Sequence, residues 1–205
     1  MVYEDFRETF VDQVCFTSNQ VYAWYPDFDK NNLSRWVAKN YLIKLRNGFY
    51  MFRELSDTPN ISYFVSNRIY LPSYISLQTA LAFYGLIPEA IINITAISTR
   101  KTTIFTNEIG SFTYRSLVEK LFTGFDYKPF LKGRTILMAK PEKALLDLLY
   151  LNAYYNSEKD MLELRLDNDM LKETLDVNSL LKMLINYENK SLERRVGLLL
   201  KLYEL

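Results

Sequence analysis

Residues 32–50, NLSRWVAKNYLIKLRNGFY, change periodicity once and then turn back on themselves. Leu33, Trp36 and Val37 recur at the spacing of one helix face. Leu42, Ile43 and Leu45 then shift to an extended pattern that runs into Asn47-Gly48, a dipeptide favoured in tight hairpin turns. The spacing predicts a helix over about 30–40 that feeds directly into a hairpin over 41–52. The stretch 30–53 is also basic: Lys30, Arg35, Lys39, Lys44, Arg46 and Arg53 give it +6, with no Asp or Glu, in a chain whose total is +1. A helix followed by a basic hairpin is the shape of a winged helix-turn-helix, which sets one helix in a DNA groove and a wing against phosphates.

The flanking sequence fits that shape. Phe6, Phe10 and Val14 lie four apart and predict an amphipathic helix over 4–14. Ser18 is the expected cap of a second helix, Asn19 to Tyr25, stopped by Pro26, and Asp29 the expected cap of the third. With 205 residues the chain has room for two small domains. The polar stretch Ser56–Asn60, which contains Pro59, is the expected boundary. We therefore expect an α+β chain: a winged helix-turn-helix over 1–58, then a mixed α/β domain over 59–205 with a small sheet and a helical C-terminal part.

In that second part, helices are expected over Ser62–Tyr70 and from a Ser76 cap to Tyr84. Ile92–Ser98, Thr102–Thr106 and Ser111–Arg115 are β-branched and alternating, the last two joined by a hairpin loop over 107–110. Phe122–Tyr127 and Arg134–Ala139 supply further strands. Pro141 opens a strongly apolar helix, EKALLDLLYL, and residues 158–205 are helical and leucine-rich.

Enzyme chemistry finds little support. The absence of histidine removes the commonest general base and most zinc sites. Cys15, the only cysteine, sits in an apolar stretch and is expected to be a buried thiol. Gly48 and Gly85 stand alone, so no glycine-rich phosphate loop is present. Asp167-Asn168-Asp169 reads as a turn or helix cap. Glu142, Lys143 and Asp147 have the residue types of a metal-dependent nuclease, but one helix carries all three, and Glu142 is expected simply to stabilise its first turn. No catalytic, metal or cofactor site is assigned. Without a basic, apolar leader or an apolar run of about 18 residues, the expectation is a cytoplasmic protein with no membrane partner.

The candidate DNA contacts follow from residue chemistry. Arginine can hold guanine, and asparagine adenine, through two hydrogen bonds. Asn31, Asn32, Ser34 and Arg35, nearest the start of the third helix, are the candidates for base reading. Lys44, Arg46 and Asn47 in the wing are candidates for phosphates, which position without specifying sequence. Lys39, toward the end of the helix, is a further candidate. One short helix buries too little surface for high affinity, so an operator with repeated half-sites is expected. Abundant tyrosine and phenylalanine lie mostly at apolar periodic positions and read as core rather than base-stacking surface.

RWVAKNYLIKLRNGFY (35–50), SNRIYLPSYISLQTALAFYGLIPEA (66–90), ITAISTRKTTIF (94–105), FTYRSL (112–117) and MAKPEKALLDLLYL (138–151) resemble, in the same order, the AbiEi family of antitoxins from bacterial abortive-infection systems. They cover about half the chain. The resemblance implies a winged-helix domain followed by an antitoxin domain, and repression of the operon that encodes antitoxin and toxin. It implies a nucleotidyltransferase toxin as functional partner, opposed without a stable complex. It places DNA contacts at Ser34, Arg35, Lys39, Lys44, Arg46 and Asn47. In the antitoxin domain, Arg100, Lys101 and Arg115 fall within matching stretches. The sequence departs from the family at Asn40, where glycine is commoner, and in a short C-terminus. The competing expectation is a stand-alone winged-helix regulator whose second domain senses a ligand or dimerises.

Overall fold

Phe6 and Phe10 seat the first helix, α1 (Tyr3–Phe10), on an aromatic core, but the helix does not reach Val14. A 3₁₀ turn over Val11–Gln13 follows, and Val14 takes a positive φ of 64° with ψ −59°, rare for a β-branched residue. That bend redirects the chain into a short strand, β1 (Cys15–Thr17). In this computed structural model, which describes residues 1–88 and 92–205, the first 55 residues go on through α2 (Ser18–Trp24), α3 (Asn31–Ala38), β2 (Leu42–Arg46) and β3 (Phe49–Phe52). Thr17, rather than Ser18, caps α2. Its hydroxyl accepts the Gln20 N–H at 3.2 Å while the Gln20 side chain accepts the Thr17 N–H at 2.7 Å. The three strands form an antiparallel sheet in the order β1-β3-β2, with Gly48 at φ 74° in the hairpin turn.

Strand alternation gives this small sheet two buried faces. Phe16, Leu42 and Phe52 point into the aromatic core with Phe6, Phe10, Val21, Phe28, Leu33 and Trp36. Cys15, Ile43, Leu45 and Met51 point the other way and join the main core with Ile61, Phe64, Val65 and Ile69 of α4 (Ile61–Ile69). The sheet is thus a wall shared by both parts of the chain. Separating the parts would uncover apolar side chains on each. Cys15 is buried here, and desolvation pushes its thiol up to about 12.

Beyond α4 the chain forms β4 (Ser73–Ile75), α5 (Leu77–Phe83), β5 (Asn93–Ser98), β6 (Thr103–Asn107), β7 (Gly110–Ser116), β8 (Phe125–Pro129) and β9 (Thr135–Ala139). These make a six-stranded sheet in the order β6-β7-β5-β4-β9-β8, parallel at β5/β7 and β4/β9 and antiparallel elsewhere. The helix α6 (Pro141–Leu151) has Pro141 in its first turn, where a missing N–H costs nothing. It is followed by α7 (Glu158–Leu162), α8 (Asn168–Thr174), α9 (Val177–Ile185) and α10 (Lys190–Leu202). Asp167 caps α8, accepting the Met170 N–H at 2.9 Å. Glu89 and Ala90, which end the 66–90 stretch, lie outside the described residues.

Polar residues of α6 correct the sequence-based reading of that helix. Lys143 and Asp147 share one face and are buried, with Nζ 2.6 Å from Oδ1. The Tyr74 and Ser76 hydroxyls donate to Asp147 Oδ2 at 2.9 and 2.8 Å, and Tyr187 donates to Oδ1 at 2.9 Å. Ser76 therefore serves this network, and its side chain makes no cap bond to α5. Burial, reinforced by Asp147, pushes both phenols well above the usual tyrosine range, so they remain protonated donors. Glu142 reaches out of the helix and accepts the Asp176 N–H at 2.9 Å. The cluster thus ties β4, α6 and the C-terminal helices together.

Candidate nucleic-acid interface

The orientation of α3 follows from its sequence. Leu33 and Trp36 are buried, and the Trp36 ring lies 4.7 Å from Phe6, 5.5 Å from Tyr3 and 5.8 Å from Phe28. Anchored by that ring, the helix turns Asn31, Ser34, Arg35 and Ala38 to solvent, positions i, i+3, i+4 and i+7 of one stripe. Asp29 organises the start of the helix: its Oδ1 accepts the Asn31 N–H at 2.9 Å.

At the other end, the chain turns through Asn40 at φ 62°. The Asn40 N–H donates to Val37 O and the Tyr41 N–H to Trp36 O, both at 2.9 Å, the paired bonds of a Schellman motif. Asn40 therefore performs the turn that glycine would, and the hairpin follows at once. A register shift in the β2/β3 pair between Lys44 and Arg46 marks a bulge before the Asn47-Gly48 turn. The Ser18 N–H donates to Gly48 O at 2.9 Å, fixing the turn against the start of α2.

The eight sequence-derived DNA candidates divide by environment. Asn31, Ser34, Arg35, Lys39, Lys44 and Asn47 are exposed. Asn32 is half-buried and accepts Arg35 Nη2 at 2.5 Å. Arg35 also pairs with Asp29 at 3.0 Å, with side-chain exposures of 61% and 50%. An ion pair so exposed is worth at most about 1 kcal/mol, so Arg35 can be released to a base edge at little cost.

Arg46 is occupied. Its Nη1 donates to Ile69 O at 2.5 Å, and the guanidinium lies 4.7 Å from the Phe105 ring centroid. In the structure it braces the hairpin against the larger sheet. Arg53, counted in the +6 stretch, likewise pairs with Glu108. Lys30, Arg35, Lys39 and Lys44 remain as the outward cations of that stretch.

In the second part, Arg100 and Lys101 stand exposed in the turn between β5 and β6, Arg100 over the Tyr70 ring at 5.8 Å. Arg115 is half-buried on β7 and donates to Leu151 O at 3.2 Å, at the end of α6. The buried set of Lys143, Asp147, Tyr74, Tyr187 and Ser76 went unrecognised in the sequence. Its one visible signal is that Lys143 and Asp147 lie four apart in a helix that is otherwise apolar after Glu142.

Among the described residues no group of histidine, cysteine, aspartate or glutamate could hold a metal ion. Among the same residues, no helix is long and apolar enough to cross a membrane. Compared with known proteins, the chain matches no protein-family model and no curated protein sequence.

Proposed function

We propose that the protein is a winged-helix DNA-binding repressor that also acts as the antitoxin of a toxin–antitoxin pair. The observation that carries the DNA-binding reading is the exposed stripe Asn31, Ser34, Arg35 on α3, flanked by Lys39 and Lys44, on a helix seated through Trp36. The element order α1-β1-α2-α3-β2-β3 suits a helix in the major groove with a hairpin beside it. The antitoxin reading rests on the resemblance of 66–90, 94–105, 112–117 and 138–151 to AbiEi-type antitoxins. Under it, the chain represses its own operon, binds repeated half-sites and opposes a nucleotidyltransferase toxin without a stable complex. No catalytic step is assigned.

Two substitutions test the interface. Arg35→Ala should cost about 1–3 kcal/mol in affinity and relax sequence preference, as expected for a base contact. Lys44→Ala should weaken all duplexes alike and reduce the slope of log K against log salt by about 0.9, the counterion equivalent of one phosphate. Titrations on matched and scrambled duplexes at several salt concentrations measure both. Equal behaviour of the two variants would remove the division between helix and hairpin.

Arg100 and Lys101, exposed and without an acidic partner among the described residues, are the proposed contacts of the antitoxin part with an anionic partner such as RNA or nucleotide. The full chain carrying Arg100→Ala and Lys101→Ala should lose protection of cells in which the toxin encoded beside it is induced, while keeping its circular dichroism. Undiminished protection would exclude this pair.

A further inference from the structure

A cleft of about 210 Å³ opens where the small sheet meets the larger domain. Its walls come from both parts of the chain. Cys15 and Phe16 of β1 and Phe49 of β3 form one side, and Arg68 of α4, Leu71 and Arg134 the other. Among the described residues, no aspartate or glutamate lines it. Arg68 is half-buried and stacks on Phe64, its guanidinium carbon 4.8 Å from the ring centroid; among the described residues it has no carboxylate partner. Arg134 donates through Nε to the Asp12 carbonyl at 3.2 Å, which leaves its two terminal nitrogens. The Asp12 carboxylate is turned to Lys132, at 3.3 Å.

Two guanidinium groups therefore share an acid-free cleft with aromatic and aliphatic walls. Burial pushes the Arg68 guanidinium below its usual range, and the neighbouring Arg134 charge adds to that push. The Cys15 thiol, pushed up to about 12 by desolvation, stays neutral near neutral pH and supplies no counter-charge. A bound anion would relieve the repulsion and offer the planar forks the two-oxygen acceptor they match best. The volume lies below the roughly 300–1,000 Å³ of pockets for drug-sized ligands, which limits the occupant to about one ring or a short chain.

We propose that this cleft is a binding site for a small organic anion, a phosphate ester or carboxylate bearing one flat apolar group. Arg68 and Arg134 hold the head, and Phe49 and Leu71 pack the apolar part. The site is independent of whether the protein binds DNA. Calorimetric titration of the full chain with phenyl phosphate, benzoate and uncharged benzamide tests it, the first two probes distinguishing the head group. At least one anion should bind saturably and benzamide about tenfold or more weaker. Arg68→Gln and Arg134→Gln should each weaken the anion about tenfold or more, the loss expected for a charge-assisted hydrogen bond. Should Arg68→Gln fail to fold without its Phe64 stack, Arg134→Gln decides, with the melting temperature as its control. Absence of saturable binding by either anion, equal binding of benzamide, or undiminished anion binding in the folded variants would overturn the proposal.

Discussion

Replacing Asp147 with alanine should destabilise the protein by about 3–5 kcal/mol, the cost of leaving a buried charge without its partner. The Lys143 side chain is 2% exposed and that of Asp147 fully buried, so water cannot take over the lost interaction. The Tyr74, Ser76 and Tyr187 hydroxyls lose an acceptor in the same step, each at a buried site. Desolvation pushes the Lys143 ammonium below the usual lysine range even beside its carboxylate, and removing Asp147 takes away the group that opposes this shift. For a domain of this size the loss corresponds to a fall of roughly 6–20 °C in melting temperature. The double variant Lys143→Met, Asp147→Leu should recover the part due to the uncompensated Lys143 charge, while the three hydroxyls stay without their acceptor. Urea unfolding of the three proteins measures this. A loss below about 1 kcal/mol for Asp147→Ala would show that the cluster does not hold the C-terminal helices to the sheet.

Phe6→Ala should be comparably severe, about 3–5 kcal/mol, and should act on the other core. Phe6 is fully buried, and its ring lies 4.9 Å from Phe10, 5.3 Å from Phe16, 5.6 Å from Phe28, 4.7 Å from Trp36 and 6.0 Å from Phe52. It therefore joins α1, β1, α3 and β3 at one point. An alanine there leaves a cavity that rings on four elements cannot easily fill. Near-UV circular dichroism should lose intensity from Trp36, and DNA affinity should fall although Phe6 touches no candidate contact residue. A variant with wild-type stability would mean that α3 is positioned by other contacts.

Both sites differ in how far the sequence announces them. The α3–hairpin junction was legible because three local signals agree: the helical spacing of Leu33, Trp36 and Val37, Asn40 at the helix end, and Asn47-Gly48 in the turn. The Asn107–Gly110 hairpin and the Pro141 helix start were legible for the same reason. Strands β1 and β4 were not, since three residues are too few to show a period and CFT and SYI are filled by tertiary pairing. The early end of α1 was hidden because Val14 suits the helix face by pattern but adopts a backbone that valine rarely takes.

The candidate interface was legible in charge and not in partnership. Sequence marks Arg35, Lys44 and Arg46 alike as cations beside a turn, whereas Ile69 O and Phe105, which occupy Arg46, lie far along the chain. Arg115 is engaged in the same way by Leu151 O. Burial of Lys143 and Asp147 was missed because their partners come from β4 and from Tyr187, after α9, elements that no local pattern connects to α6.

Under the proposed function, α3 and the hairpin read an operator. Titration of the full chain with a duplex from the promoter of its own operon, against a scrambled duplex of equal length, tests this most directly across a salt series. The operator should bind with a dissociation constant of about 10⁻⁸–10⁻¹¹ M at physiological salt, at least ~10³-fold tighter than the scrambled duplex, with affinity falling linearly in log–log form as salt rises. Equal affinity for the two duplexes, or binding indifferent to salt, would contradict it.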